Sequence, residues 1–402
     1  MDITFMKWFL TALTAVLFAC DLVHSIFYLP AADRAEGADH MPHSVYYLAF
    51  TAFFAAMIFA LHAPTLPLMW VAIELTTLVS APLIAYHRSK GAIEAMWKYL
   101  LICSIGIGLA LFGTMLVLHA QSTLSPLWYK AGFAFILAGY GTKMGLAPFH
   151  TWLPDAHSEA PAPVSALLSG ALLNCSFFAI ARFRAEMPAE VAPFCDRALA
   201  VLGVLSVLAA AVFMVRQTDF KRLLAYSSVE HMGLIAIIFS IAAPHDDGTL
   251  SGAIRQGLAF YALSVHIAAH SLTKTMMFLE AGNLLLAFKT RAIAAVQGLA
   301  STMKPHAALW IAGTLLICGM PPSALFISEL GLVAFADIRL AALALALLFA
   351  VFAAMTKISL GMTMGKSANT PEEIPAALSI VPWTLFTVLV AAGIALSAMM
   401  CA

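Results

Sequence analysis

The sequence predicts an all-α integral membrane protein of about twelve transmembrane helices, two of them broken. Three observations predict it. Of 402 residues, 62% are hydrophobic and only 10% are charged. A soluble domain carries about 25% charged residues, so polar groups cannot cover this surface. Apolar windows of about 20 residues, the length that crosses ~30 Å of hydrocarbon, recur from one end of the chain to the other. Within them the hydrophobicity is continuous rather than alternating, which excludes a β-barrel.

The first window, 3–29, is too long for a signal-peptide core and lacks a small-residue cleavage site, so it reads as a retained span. Further spans fall near 45–63, 67–87, 98–119, 129–149, 161–182, 196–215, 222–243, 255–288, 306–329, 340–364 and 378–400. Short polar loops separate them, and none has room for a soluble domain. The longest, 30–44, carries Asp33, Arg34, Glu36 and Asp39. Two spans are interrupted, one by Gly139-Tyr140-Gly141-Thr142-Lys143-Met144-Gly145-Leu146-Ala147-Pro148 and one by Gly319-Met320-Pro321-Pro322. Proline removes a backbone donor. Such breaks survive in lipid only where protein or water satisfies the freed carbonyls. Paired interruptions in two halves point to an inverted repeat around an ion pathway; each taken alone is also the mark of a plain proline kink. The odd-numbered loops carry Arg34, Arg88, Lys90, Arg216, Lys221, Arg222, Lys289, Arg291, Lys304 and Lys366. The even-numbered side has fewer cations (Lys7, Lys130, Arg182, Arg184, Arg197, Arg255 and Arg339). This places both termini outside.

Net charge is zero, which leaves no basic footprint for nucleic acid. The six cysteines form no C-x-x-C pair, so neither an iron–sulfur nor a zinc site is expected. No nucleotide fingerprint is present. The expectation is a chain without a cofactor or metal of its own.

A charge at the centre of a membrane helix costs roughly 2.5–3.5 kcal/mol on insertion scales. Titratable residues inside the apolar windows are therefore the informative letters. Glu74 lies mid-span and Lys143 just before the first break. His266, His270 and Lys274 recur at a spacing of four, on one face of one helix, and Glu329 lies just past the second break. Lys98 sits near the start of its span, where it can also snorkel to the interface. Glu230 and His231 are adjacent in another span. His150, Asp155 and His157 mark a membrane edge, as proton-access groups or as loop caps. Burial and a nearby carboxylate act in opposite senses on a lysine's hold on its proton, and histidine titrates near neutrality. The set fits a chain of proton-exchanging sites; the other reading is interhelix ion pairs that hold a bundle together. His266-x-x-x-His270 has ligand spacing, but no third ligand lies nearby in sequence.

Phe149-His150-Thr151-Trp152-Leu153-Pro154-Asp155-Ala156-His157, followed by Ala160-Pro161-Ala162-Pro163-Val164-Ser165-Ala166-Leu167-Leu168, resembles the signature of the antiporter-like proton-translocating subunits. These occur in complex I, multisubunit sodium/proton antiporters and energy-converting hydrogenases. Ala95–Leu100, Leu223–Gly233 and His270–Lys274 resemble the hydrogenase-4 component F type. The resemblance spans residues 45–365. It implies two inverted five-helix repeats, near 67–182 and 222–340, each with a broken helix, in one polytopic domain over 1–402. It also implies a glutamate–lysine pair, Glu74 with Lys143, then Lys274 on the long helix of the second half with His266 and His270 before it. Glu329 ends the second break, and Lys98 matches a lysine of the following span. Two departures stand out. The family has fourteen spans or so, where twelve fit here, leaving the first two without a counterpart. The span after the signature has Ser169 and Asn174 where a titratable residue is usual, and 161–181 holds no Asp, Glu, His, Lys or Arg. A relay between halves would there run through water ordered by Ser165, Ser169, Asn174 and Ser176.

The resulting expectation is a proton-conducting subunit, in the plasma or inner cell membrane, of a redox-driven complex of the group 4 [NiFe]-hydrogenase or formate hydrogenlyase type. Its partners would be other membrane subunits, a peripheral [NiFe] and iron–sulfur arm, and lipid. A sodium/proton antiporter component, an inorganic-carbon uptake subunit and a non-pumping scaffold are the alternatives.

Overall fold

A computed structural model describes residues 2–36, 39–242, 250–365 and 369–401. Lys366 and the side chains of Glu36 and Cys401 lie outside the described residues. The chain opens with α1 (Ile3–Glu36), α2 (His43–His62) and α3 (Leu66–Ile84), the last entered through Pro67 and the Thr65 hydroxyl. A long α4 (Lys90–Thr123) starts where Ser89 Oγ accepts from Ala92 N at 3.0 Å, a side-chain cap that satisfies an otherwise unpaired donor.

The first expected break is real. α5 (Pro126–Met144) stops at Gly145, in the left-handed region, and the chain resumes as α6 (Trp152–Glu159). Next come α7 (Ala162–Leu167), a π-helical turn over Leu168–Leu172, and α8 (Leu173–Ala185). α9 (Ala192–Met214) leads to α10 (Phe220–Ala242), whose first turn is capped by Asp219 Oδ1 accepting from Lys221 N and Arg222 N. The longest helix is α11 (Leu250–Phe288). A short α12 (Leu299–Thr302) precedes α13 (Lys304–Ile317), the second break and α14 (Ala324–Phe335). α15 (Ile338–Thr363) and α16 (Ile380–Cys401) complete the order. Among the described residues there is no strand, only an isolated bridge between Asp219 and Ala292.

This is the all-α membrane fold that the sequence predicts. Among the described residues nine helical segments are long and apolar enough to cross a membrane. The other three expected spans fall on α5 with α6, α11, and α13 with α14. They fall outside that set because polar residues or breaks interrupt them: α11 carries His266, His270 and Lys274, and α13 has only 14 residues. Helices also overrun the expected windows, as α4 does at both ends, because a helix continues past the hydrocarbon until a cap stops it.

Cross-links between loops show which ends share a face. Arg291 bonds Ser158 O at 2.6 Å and pairs with Glu159 at 2.8 Å, Met41 N donates to Tyr86 O, and Lys289 pairs with Glu372. These gather the cation-rich odd-numbered loops at one end of the bundle. Arg182 donates to Ala63 O and Pro64 O at the other end. The α7–α8 span is the axis: its apolar window is wholly buried, and that of α10 is 89% buried, against 28% for α15. α4 and α5 cross backbone to backbone where a Cβ on Gly139 would collide with Gly106 O and Ala110 N. Small residues permit such close approach in membranes.

Candidate functional site

Two lysines form the centres of the site. Lys143, on the last turn of α5, is fully buried. Its ammonium donates to Thr77 Oγ1 at 2.9 Å and to Tyr99 OH at 2.5 Å, and sits 4.4 Å from the Tyr99 ring centroid. Tyr99 OH in turn shares a 2.7 Å bond with Ser80 Oγ. Lys274, on α11, is equally buried; it donates to Leu224 O at 2.7 Å and to Ser227 Oγ.

Among the described residues neither ammonium is in an ion pair, although each has a glutamate one turn from its hydroxyl partner. Glu74 precedes Thr77 by three positions on α3, and Glu230 follows Ser227 by three on α10. Residues three apart share a helix face, so at each lysine a hydroxyl partner and a glutamate lie on one face of a neighbouring helix, in opposite sequence order. Glu74 is half-buried; its Oε1 accepts from Ser104 Oγ at 2.8 Å and its Oε2 has no partner among the described residues. The expected direct Glu74–Lys143 contact is therefore replaced by hydroxyls that hold the lysine while the glutamate stays within electrostatic reach. Glu230 and Lys274 likewise lie within electrostatic reach of each other.

The histidines extend the second centre. His231 Nδ1 lies 3.1 Å from His266 Nε2, and His231 Nε2 lies 3.0 Å from Ile317 O, a carbonyl freed at the second break. His266 Nδ1 is 2.8 Å from Ser328 Oγ, and the His270 ring is 5.0 Å from that of His231. A carbonyl accepts only, so His231 donates from Nε2 to Ile317 O. Ser328 Oγ donates to Leu325 O, and the chain of contacts runs from Ser328 through His266 and His231 to Ile317. Glu329 follows on α14; its Oε1 is buried without a partner among the described residues. Gly319, at φ +66°, makes room for it: a Cβ there would overlap the Glu329 carboxylate.

The 161–181 segment, without a charged residue, contacts α10 and α11 through hydroxyl and amide groups. Ser169 Oγ and Ser228 Oγ are 2.8 Å apart, and Asn174 Nδ2 donates to Ser271 Oγ at 2.8 Å. Ser165 turns away, donating to His157 O at 2.9 Å, and Ser176 has only a 3.4 Å contact to Leu172 O. Ser169 lies in the π turn. Such turns widen the helix and often mark functional sites.

Other expected residues sit elsewhere. The Lys98 side chain is 47% exposed and pairs with Glu94 at 2.7 Å and Asp155 at 3.1 Å. Asp155 also binds Arg222. These groups form a surface cluster on the cation-rich face, apart from the buried centres. His150 packs between Phe213 and Tyr226, and His157 stacks on Phe278 at 4.8 Å, within electrostatic reach of Lys274. His266 is committed to His231 and Ser328, whereas His270 only packs its ring on His231, its two ring nitrogens having no hydrogen-bond partner among the described residues. One group of possible ligands, Asp33, His40 and His43, has ligand atoms within 4.8 Å of one another. Its carboxylate is already held by His43 Nε2 at 2.6 Å and Tyr86 OH at 2.9 Å. Sequence reasoning missed Thr77, Tyr99, Ser104, Ser227 and Ser328, because hydroxyls on membrane helices carry no individual signal.

The chain matches the family described as "NADH:quinone oxidoreductase/Mrp antiporter, TM" over residues 63–356. It is 39% identical over 310 residues to a "Hydrogenase-4 component F homolog" of Methylacidiphilum infernorum, covering 71% of this chain and 61% of that protein. Its length thus spans less than two thirds of that relative. Its fold is similar to a chain of the Mrp complex from Dietzia sp. DQ12-45-1b (TM-score 0.83, 19% identity, 99% of this chain and 82% of that one). It is also similar to a chain of respiratory complex I from Thermus thermophilus (TM-score 0.73, 24% identity, 98% and 92%).

Proposed function

The chain belongs to the NADH:quinone oxidoreductase/Mrp antiporter transmembrane family, and from that premise we propose that it is a proton-translocating membrane subunit of a redox-driven complex of the group 4 energy-converting [NiFe]-hydrogenase or formate hydrogenlyase type. The observation that carries this reading is the pair of fully buried lysines held by hydroxyls and a carbonyl, each with a glutamate one helical turn from its hydroxyl partner and within electrostatic reach. An ammonium locked to a carboxylate keeps its proton; one held by neutral groups can give it up when a nearby charge moves. The repeats 67–182 and 222–340 each supply one such centre.

In this mechanism a rearrangement in partner subunits changes the distance between Glu74 and Lys143. Lys143 then exchanges its proton through Tyr99 and Ser80. The change of charge passes through the Ser169–Ser228 and Asn174–Ser271 contacts to Lys274. There the His266–His231 pair relays the proton toward the second break and Glu329. The hydrogenase assignment is supported by the 39% identity to a hydrogenase-4 component F homologue. The setting would be the cell membrane, with other membrane subunits and a peripheral [NiFe] and iron–sulfur arm as partners.

Purifying the chain with its native partners tests the assignment. A nickel–iron subunit among them is the expected result. A set of small antiporter subunits, or a large zinc protein, would replace the hydrogenase setting with an antiporter or an inorganic-carbon uptake complex.

A further inference from the structure

A second polar cluster, outside the line from Glu74 to Glu329, lies between α1, α11 and α13. Asp21 and His24 of α1 are three residues apart, on one face, and both are fully buried. Neither Asp21 carboxylate oxygen has a hydrogen-bond partner among the described residues. His24 lies against Asn283 of α11 and the Leu378 carbonyl, both of which act on its ring, but among the described residues neither ring nitrogen reaches hydrogen-bond geometry. Asn283 Nδ2 donates to Glu280 Oε2 and Leu378 O, both at 3.2 Å, while its own Oδ1 has no partner among the described residues. Glu280 Oε1 is 2.8 Å from His306 Nδ1 at the start of α13. From α2, Tyr46 is near enough to feel the Asp21 charge, and its hydroxyl also lacks a partner among the described residues.

We propose that this cluster is a second proton-exchange branch, joining the Lys274 centre to the cation-rich face along the α1–α11 interface. Its inner end is set by Gly170, against which Leu17 of α1 and Thr275 of α11 both pack. Asp21 is one turn beyond Leu17, and Thr275 adjoins Lys274. At the outer end, His24 stacks on Tyr28 at 5.7 Å, and Tyr28 lines a cavity of about 510 Å³ whose other walls include His87, Lys289 and Arg291. A buried carboxylate and imidazole with open valences are costly in a membrane protein, and a merely structural clamp would have closed them onto each other. The Glu280–His306 pair supplies the clamp; Asp21 and His24 supply groups that can load and release a proton.

The branch rests on the proposed proton transport, so its first test does not use transport. The full-length chain in lipid nanodiscs is followed by infrared difference spectroscopy across pH, in water and in deuterium oxide. The branch predicts a buried carboxyl band that titrates, shifts promptly in deuterium oxide, and disappears in Asp21→Asn. The Glu280→Gln variant should keep that band. A band that is absent, or that fails to exchange, would overturn the proposal. Thermal melting confirms that Asp21→Asn stays folded; if it does not, Asp21→Glu serves instead and must shift the band. The assembled complex in vesicles supplies the second test: Asp21→Asn must slow proton flux, and wild-type flux would overturn the branch. Loss of the main pathway reading would instead show as retained flux in a Lys143 variant, with the infrared result unchanged.

Discussion

Lys143 and Lys274 were legible as letters, because a lysine inside an apolar window is expensive and therefore informative. Their partners were not: Tyr99, Thr77 and Ser227 look like ordinary membrane-helix residues until the fold brings each to an ammonium. Tyr99→Phe removes the 2.5 Å contact and breaks the link to Ser80, so proton flux should fall while the complex remains assembled; a pH-sensing dye in vesicles measures it. The Arg184–Asp196 pair is the contrasting case. It is buried and bidentate, at 2.6 and 2.8 Å, and lies off the pathway. Breaking it with Arg184→Leu should cost about 3–5 kcal/mol, since an unpaired charge is left behind. Denaturation in detergent would show that loss, with flux per folded complex unchanged. Lys98 was expected in the pathway from its resemblance, but its exposed pairing with Glu94 and Asp155 fits the snorkelling reading.

At the scale of elements, glycine and proline announced both breaks, and both are present in α5–α6 and α13–α14. The second break depends on Gly319. Its left-handed backbone costs a side-chain-bearing residue roughly 1–2 kcal/mol, and a Cβ would also displace the Glu329 carboxylate. Gly319→Ala should therefore lower both the melting temperature and proton flux. The π turn in 168–172 was invisible in the sequence, since its residues are apolar or small and no periodicity marks an extra residue per turn. With it came a direct polar contact between halves where the sequence suggested only water. Asn174→Leu removes the bond to Ser271, and flux should drop more than stability does. Equal flux in that variant would show that the halves are coupled by another route.

At the scale of the whole molecule, the loop cations marked a real asymmetry. The odd-numbered loops are linked through Arg291, Glu159, Asp219 and Ser158 at one end of the bundle. Positive loops stay on the cytoplasmic side. A cysteine placed at Arg88 should therefore be shielded from a membrane-impermeant thiol reagent in intact cells, and one at Ser125 should be labelled; the reverse pattern would invert the topology. Continuous apolar windows revealed the all-α membrane fold, while helix lengths beyond the hydrocarbon depended on caps such as Ser89 and Asp219. The proposed repeats give each half one lysine centre, and the claim that these centres move protons is the one on which the account rests. The direct measurement is proton translocation per catalytic turnover of the reconstituted complex, compared between wild type and Lys143→Ala. Lys143→Ala should leave turnover intact in the assembled complex with translocation lost; translocation retained at the wild-type ratio would show that these centres do not carry the proton.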